Sequence, residues 1–230
     1  MSETIGRTLN HFCLVSFKDE YWSLDSRART DVQQTWLRGL QEAVRKIYLY
    51  QVFPAESESD LLVWSAVGAD EKAAAHQLFS CFARAHNAVR SYIGVNVTLW
   101  GYTRPSQYSK AQRSSQAIDP LTEARKPYLV MYPFTKTTEW YLLGRDVRQG
   151  MMNAHIKLGK QYEDINQLLL YSTGLQDQEF VVVYETDDLA RFSELVTELR
   201  STDARAYTLR DTPTHTAIYH PLEETLALWR

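Results

Sequence analysis

The predicted order of strands and helices occurs twice along this chain of 230 residues. In the first half, hydrophobic periodicity predicts strands at 11–18, 47–53, 60–67 and 95–102, with helices at 30–45 and 70–93. In the second half, the predicted strands are 127–134, 166–172, 179–185 and 214–219, and the helices are 145–160 and 188–200. Each half has the β-α-β-β-α-β order of the split ferredoxin-like unit. We therefore expect an α+β protein of two ferredoxin-like repeats forming a dimeric-type α/β barrel with its helices outside.

This pattern divides the chain into an N-terminal repeat (1–102), a connecting loop (103–126) and a C-terminal repeat (127–230). The loop is polar and has neither helical nor strand periodicity, so its simplest interpretation is a surface linker. Loops of this length in compact proteins are also often functional. Its basic and hydroxyl side chains, the types that bind carboxylates, are Arg104, Ser106, Tyr108, Lys110, Arg113 and Arg125.

The helix predicted at 145–160 carries a histidine with a possible role in metal binding. Its apolar residues recur at three- and four-residue spacing and are Val147, Met151, Ala154 and Leu158. His155 lies on this stripe, with Met151 one turn before it. An imidazole in an apolar shell, shielded from water, is typical of an axial haem ligand. The alternative is a structural histidine, which is the commoner reason for a histidine on an apolar face.

Composition excludes several classes of partner. The net charge of −3 predicts no general attraction to nucleic acid or to anionic membranes. No apolar run approaches the roughly 20 residues of a membrane span, and the start MSETIGRTLNH has no apolar core of a secretory signal. Cys13 and Cys81 form no CxxC motif and imply no disulfide framework, so we expect a cytoplasmic protein.

Several motifs of the second half occur in the order and spacing of a known family. They are Tyr132-Pro133-Phe134-x-Lys136, Trp140-Tyr141, Met151-x-x-x-His155, STGLQDQEF at 172–180 and ETDD at 185–188. In these motifs the chain resembles the chlorite dismutase and coproheme decarboxylase family of haem proteins. The resemblance covers about residues 100 to 215 well and the N-terminal third only in layout.

The resemblance implies a site for haem b or coproheme in the C-terminal repeat. His155 matches the iron ligand, with Trp140 and Met151 beside the cofactor. Ser106 and Tyr108 match a Ser-x-Tyr pattern that contacts a porphyrin propionate, and Lys110 is a looser match nearby. Asp203 matches an acidic residue behind the histidine, where the family usually has the longer glutamate.

The resemblance also implies a reaction. Tyr132 matches the tyrosine that coproheme decarboxylases oxidise, and Lys136 a lysine near the propionates. Gln167 occupies the place of the arginine that chlorite dismutases direct at the distal side of the haem, although strand register could put Leu168 there instead. Both lack the charge, which favours peroxide-dependent decarboxylation of coproheme to haem b over chlorite dismutation.

Other interpretations of the sequence remain open. One is a chlorite dismutase or peroxidase-like relative, which would need a distal cation. Another is a non-enzymatic haem-binding or haem-sensing protein with the same barrel, and a third is a barrel that binds no haem. By resemblance alone, we expect a homo-oligomer, with a pentamer favoured, whose small-molecule partners are a porphyrin and hydrogen peroxide.

Overall fold

The computed structural model describes residues 6–44, 46–108 and 114–230, which fall into two compact units. The first unit lies within Met1–Thr103, Pro120–Ala124 and Thr216–Arg230. The second comprises Arg104–Asp119 and Arg125–His215. Each unit has an antiparallel sheet with helices packed on one face.

The first unit contains the first β-α-β-β-α-β repeat. Its elements are β1 (Thr8–Phe17), α1 (Asp19–Trp22), α2 (Ser26–Ala43), β2 (Lys46–Gln51), β3 (Leu61–Gly68), α3 (Ala74–Asn87), β4 (Ile93–Thr103), β9 (His215–Tyr219) and α7 (Leu222–Ala227). The strands lie in the order β4-β1-β3-β2-β9. Because side chains alternate along β1, Cys13 and Val15 point to the face where α2 brings Trp36 and α3 brings Phe82. This apolar layer is the core of the unit.

The second unit contains most of the second repeat. Its elements are β5 (Tyr128–Lys136), α4 (Thr138–Leu142), α5 (Arg145–Gly159), β6 (Asn166–Tyr171), β7 (Phe180–Thr186), α6 (Leu189–Leu199), a 3₁₀ segment (Asp203–Tyr207) and β8 (Thr208–Arg210). The strand order is β6-β7-β5-β8, with every pair antiparallel. Val130 and Val182 of the sheet pack against Phe192 and Leu195 of α6 in the second-unit core.

Side-chain caps mark the start of two of the longer helices. Helix α6 begins after Asp188, whose carboxylate accepts the backbone N–H groups of Ala190 and Arg191. Helix α2 begins earlier than the start at residue 30 that periodicity predicted. That helix begins at Ser26, and Asp25 accepts the N–H of Ala28. The short helices α1, α4 and α7 span less than two turns each, too little for a periodic pattern to reveal.

The end of the chain belongs to the first unit, unlike the division drawn from the sequence. Ile218 and Tyr219 of β9 pair with β2. Trp229 enters the first core, where its carbonyl accepts the hydroxyl of Tyr21 at 2.6 Å. The part of the connecting loop at Pro120–Ala124 also joins this unit. Hydrophobic periodicity identifies a strand, but it does not say which sheet the strand joins.

Within the described ranges, no helix combines the length and apolar character needed to cross a membrane. Cys13 is buried in the core of the first unit and Cys81 is half-buried on α3, both as free thiols.

Candidate functional site

Strand register brings several predicted site residues of the second unit to one face of its sheet. On this face, Val130, Tyr184 and Gln167 form one row across β5, β7 and β6. Residues directly opposite each other in antiparallel strands share a face, as do residues two apart on one strand. The next rows on the same face are therefore Tyr132–Val182–Leu169 and Phe134–Phe180–Tyr171.

The register separates the two alternatives for the distal residue. Gln167 lies on the same face as Tyr132 and is exposed. Leu168 lies on the opposite face beside Val183 and is buried. The backbone of Gln167 pairs with the loop, because its N–H donates to the carbonyl of Gln116 and its carbonyl accepts the N–H of Ile118. This end of the predicted linker is therefore structured.

Helix α5 presents His155 on its partly covered face. The Nδ1 atom of His155 is buried and has no hydrogen-bond partner within the described part of the chain. Burial, and secondarily the charge of Lys136, lowers the pKa of the imidazole below its usual value. A neutral imidazole with a free lone pair is the form that binds a metal.

The apolar stripe predicted on α5 is only partly correct. Val147 is 52% exposed and Ala154 is also exposed, whereas Met151 and Leu158 are half-buried. Residues on the covered face recur at 148, 151, 155 and 158, because this face meets α6 and the 3₁₀ segment. No residue of α5 is fully buried. Met151 therefore lies on the same face as His155, as predicted, although this helix is less buried than its sequence suggested.

Lys136 is held at the end of β5, where the pairing with β8 has a bulge. Its ammonium group lies 4.5 Å from the centre of the Trp140 ring and donates to the carbonyl of Ala204 at 3.3 Å. Burial and the neighbouring charge of Arg205 lower the pKa of Lys136 to about 8, although Glu179 opposes the shift. This amine can therefore exchange a proton near neutral pH. Trp140 is buried, so packing accounts for its position without any ligand.

Tyr132 forms a pair with Tyr184. Their ring centres are 6.2 Å apart, and the ring planes are inclined by 31°. Burial raises the pKa of Tyr132 above its usual value. The phenol therefore stays protonated at neutral pH, as a donor of a hydrogen atom must.

The loop residue Tyr108 reaches toward α4 and α5. Its ring meets that of Trp140 edge-on at 6.4 Å, and its carbonyl accepts the side chain of Gln149 at 3.0 Å. The hydroxyl of Tyr108 is buried with no partner among the residues described. Ser106 is exposed and accepts the N–H of Tyr108 at 3.2 Å. Of the looser candidates, Lys110 and Arg113 lie outside the described residues.

Arg148 is a candidate that the sequence analysis did not propose. Its Nε atom is buried and, within the described ranges, makes no hydrogen bond. Tyr108 accepts a hydrogen bond from Gln149, the residue after Arg148, so the loop at Tyr108 lies beside this turn of α5. Arg148 and the Tyr108 hydroxyl are thus two hydrogen-bond donors in one region. The spacing from His155, seven residues or almost two full turns, could have identified Arg148.

The predicted hydrogen bond between Asp203 and His155 is not observed at Nδ1. Asp203 is exposed at the start of the 3₁₀ segment, and the Nδ1 of His155 lacks a partner in the described structure. Aspartate is one methylene shorter than the glutamate usual in the family, which agrees with the missing hydrogen bond to His155.

The donor set fits an iron that is already held by a macrocycle. The described residues contain no cluster of three or more His, Cys, Asp or Glu side chains that could bind a bare metal ion. A porphyrin supplies four nitrogen ligands, so its iron needs only one axial ligand from the protein. The neutral imidazole of His155 fits that need, and the unpartnered donors of Tyr108 and Arg148 fit the carboxylates of such a ring. These features are those of a haem-binding α+β protein.

Comparison with known proteins identifies the family. A chlorite dismutase family profile matches residues 26–219, so the chain belongs to the chlorite dismutase family.

Among curated relatives, coproheme decarboxylase of Mycolicibacterium smegmatis is 28% identical over 183 residues, covering 78% of this chain and 75% of that protein. Coproheme decarboxylase of Staphylococcus saprophyticus is 37% identical over 84 residues, which is 34% of each chain. The match to the mycobacterial enzyme is the longer of the two, and the staphylococcal match is a shorter segment of higher identity.

Solved structures share the fold. Chlorite dismutase from Candidatus Nitrospira defluvii in complex with imidazole superposes with a TM-score of 0.82, at 20% identity, over 96% of this chain and 94% of that chain. An arginine-to-alanine variant of that enzyme gives the same TM-score at 21% identity. The predicted α+β fold class is confirmed at the level of the whole chain.

Proposed function

We propose that this protein is a peroxide-dependent coproheme decarboxylase, which converts propionate side chains of coproheme to vinyl groups and yields haem b. The observation that carries the proposal is which side chains share one face of the sheet in the second unit. An oxidisable tyrosine, Tyr132, shares that face with the uncharged Gln167 rather than with a strand arginine. The names of the two decarboxylases to which the chain is similar support the same reaction.

His155 is the axial ligand in this proposal. Burial and the charge of Lys136 keep its imidazole neutral, so a ring nitrogen is available to the metal without first losing a proton. Met151, one turn earlier on the same helix face, limits the access of water to that bond. The bound iron porphyrin supplies the reaction with peroxide.

Tyr132 exchanges a hydrogen atom with the substrate. It gives up one electron and one proton, and it then takes a hydrogen atom from the propionate chain. Loss of carbon dioxide and of a second electron leaves the vinyl group. Each propionic acid group and one hydrogen peroxide molecule thus give one vinyl group, one carbon dioxide and two water molecules, so atoms and electrons balance.

Lys136 accepts and releases protons in the same step. With its pKa lowered to about 8, it can hold a proton for the carboxylate or release one near neutral pH. Its cation–aromatic contact with Trp140 keeps the ammonium group in place without neutralising its charge.

The carboxylates of the substrate are bound by loop and helix donors. The Tyr108 hydroxyl and the Nε atom of Arg148 are buried donors that lack protein partners in the described ranges, and a carboxylate accepts from both kinds of group. Ser106 holds the backbone of Tyr108. Lys110 belongs to the same proposal on sequence grounds alone.

The decisive experiment is mass spectrometry of the porphyrin after the protein, iron coproporphyrin and a few equivalents of hydrogen peroxide are mixed. We expect the loss of two carboxyl groups as carbon dioxide. The Tyr132→Phe variant, which keeps the ring and removes the hydroxyl, should bind coproheme and leave it intact. Intact coproporphyrin with the wild-type protein would overturn the proposed function in favour of haem binding alone.

Chlorite dismutation is the second candidate, and Arg104 is the observation that bears on it. Its guanidinium lies 5.2 Å from the centre of the Tyr171 ring. Tyr171 is on β6, the strand that also carries Gln167. A cation near the haem could hold chlorite and the oxyanion formed from it. Oxygen release on addition of chlorite, abolished in Arg104→Gln, would favour this alternative.

The proposal also includes a cytoplasmic location and a homo-oligomer, with a pentamer favoured by family resemblance. Two free thiols, Cys13 and Cys81, agree with a reducing compartment. Light scattering after size-exclusion chromatography gives the oligomeric state directly, and a monomer would contradict this part of the proposal.

A further inference from the structure

Gln116, in the connecting loop, is a buried glutamine whose side chain holds the segment that follows α5. It is 8% exposed. Its Nε2 atom donates to the carbonyl of Tyr162 at 2.8 Å and to that of Ile165 at 3.0 Å. The same atom lies 3.4 Å from the carbonyl of Gly159, the last residue of α5. Because an amide nitrogen carries two hydrogens, both donors of Gln116 are used by the short connection from α5 to β6.

The backbone of Gln116 holds a second segment, the start of β6. Its carbonyl accepts the N–H of Gln167 at 2.8 Å, and the carbonyl of Gln167 accepts the N–H of Ile118 at 3.0 Å. Between these two bonds, Ala117 and Gln167 form an isolated parallel bridge. The backbone of Gln167 is therefore fixed by the loop through both of its polar groups.

These two sets of hydrogen bonds connect the elements that carry His155 and Gln167. His155 lies one helical turn before Gly159, and Gln167 lies two residues after Ile165. Tyr162 and Ile165 are both buried, so a carbonyl that lost its donor there would be costly. A single loop residue thus joins the end of the histidine helix to the backbone of the distal candidate.

We propose that Gln116 is a positioning residue, which fixes Gln167 relative to the helix of His155 and thereby sets how Gln167 meets a ligand on the distal side of the iron. This inference rests on the proposed function and assigns the role to a residue outside the family motifs quoted above. Gln116 acts through Gln167 and transfers neither a proton nor an electron. Its loss should therefore matter only while the Gln167 side chain is present.

The hold on Gln167 is tested in the ligand-free protein by amide hydrogen exchange measured with NMR. Gln116→Met keeps the length of the side chain and removes both donors. We expect the protection factors of the Gln167 and Ile118 amides to fall at least about 10-fold, while amides of β7 keep their protection. Gln161→Met is the matched control, because Gln161 is an exposed glutamine of the same connection.

A second variant guards against a failure of Gln116→Met to fold. Gln116→Asn keeps the amide but is one methylene shorter, so it should lose the bonds to Tyr162 and Ile165 and expose the same two amides to exchange. Wild-type protection of the Gln167 amide in the folded variants would overturn the proposal.

The action through Gln167 is tested by cyanide binding to the ferric protein loaded with haem b, followed by absorbance. We expect Gln116→Met to weaken cyanide binding about 3- to 10-fold, the range of one neutral hydrogen bond, and Gln161→Met to leave it unchanged. In the Gln167→Ala background, Gln116→Met should have no further effect, because the residue through which it acts is gone. A general structural role would give the same loss in both backgrounds, and that result would overturn the positioning role.

Failure of the proposed function would be recognised separately. A wild-type protein that binds haem b but leaves coproheme intact would refute decarboxylation alone, because neither hydrogen exchange nor cyanide binding depends on that reaction.

Discussion

At the scale of single residues, the notable feature is polar atoms that are buried without partners. Such atoms of the described chain include those on His155, Tyr108, Arg148 and Thr135 in the second unit, and on His11 in the first. A buried polar atom without a hydrogen bond costs about 1–3 kcal/mol, so each one calls for an explanation. In the second unit, the atoms on Tyr108 and Arg148 are donors that the carboxylates of an iron porphyrin would engage. In the first unit, His11 packs on the edge of the Phe82 ring at 4.7 Å and has no such explanation.

If His155 is the iron ligand, haem binding should be lost in an alanine variant and restored by free imidazole. His155→Ala should abolish the Soret band of added haem and weaken binding more than about 100-fold, while circular dichroism shows an intact fold. Free imidazole should restore the band, because it can fill the space of the lost ring. Haem binding that is unchanged in the alanine variant would refute His155 as the iron ligand.

If Arg148 binds a carboxylate, the effect of its substitution on affinity should depend on the free carboxylates of the porphyrin. Arg148→Leu should weaken binding of iron coproporphyrin by about 10-fold, the value of one charge-assisted hydrogen bond. Binding of the tetramethyl ester should not change, since the ester carries no negative charge. Arg145→Leu is the control, because Arg145 is exposed on the same helix. Equal losses for acid and ester, measured by absorbance titration, would contradict a carboxylate-binding role.

His11 predicts a loss of stability on mild acidification. Burial lowers its pKa from 6.5 to about 4, so the unfolded chain binds the proton more tightly. The contribution of neutral His11 to the free energy of unfolding is therefore complete above pH 6.5. It falls as the pH drops through the interval from 6.5 to about 4. Urea unfolding at pH 7.5 and 5 should show about 2 kcal/mol of this loss in wild type, relative to His11→Leu. The exposed His76 gives the control variant, His76→Gln, which should behave like wild type.

At the scale of elements, strand register and helix crossing decide what the side chains meet. Register places Tyr132, Tyr184 and Gln167 on one sheet face and Leu168 on the other. The crossing of α2 and α3 depends on Gly39, where an added Cβ would lie 2.8 Å from the Cβ of Ala85. Helix α5 makes no such close approach at Gly150, where nothing lies within 4 Å.

These two helical glycines predict opposite effects for one substitution. Gly39→Ala should destabilise the protein by about 1–3 kcal/mol, because overpacking exceeds the gain in helix propensity. Gly150→Ala should stabilise it by up to about 1 kcal/mol through propensity alone. Chemical denaturation measures both. Restoration of stability in Gly39→Ala combined with Ala85→Gly would confirm the contact, and a Gly39→Ala variant as stable as Gly150→Ala would exclude it.

At the scale of the whole molecule, the last residues of the chain complete the core formed by its first residues. Trp229 is 6% exposed and lies 6.2 Å, centre to centre, from the ring of Phe17. The side chain of Gln33 donates to the carbonyl of Leu226 at 2.9 Å. This hydrogen bond joins α7 to α2. The first unit is therefore not a contiguous domain, and its core includes residues that follow the second unit in the sequence.

This closure predicts that a change near the end of the chain destabilises the first unit. Trp229→Ala should lower the free energy of unfolding by about 3–5 kcal/mol, as for other buried tryptophans. The neighbouring Leu228 is 54% exposed, so Leu228→Ala should cost far less. Tryptophan fluorescence during urea unfolding would report both, and similar midpoints for the two variants would contradict the packing of Trp229.

The sequence by itself determined the order of elements, the α+β class, the family and the position of His155 on a helix. These follow from local periodicity and from motifs whose residues are close together along the chain. Only the tertiary structure showed the pairing of Tyr132 with Tyr184, the unpartnered nitrogen of Arg148 and the absence of an Asp203 hydrogen bond at Nδ1 of His155. It also assigned residues 216–230 to the first unit. The physical reason is that such contacts join residues far apart in sequence, and strand register and packing, rather than local propensity, decide which of them meet.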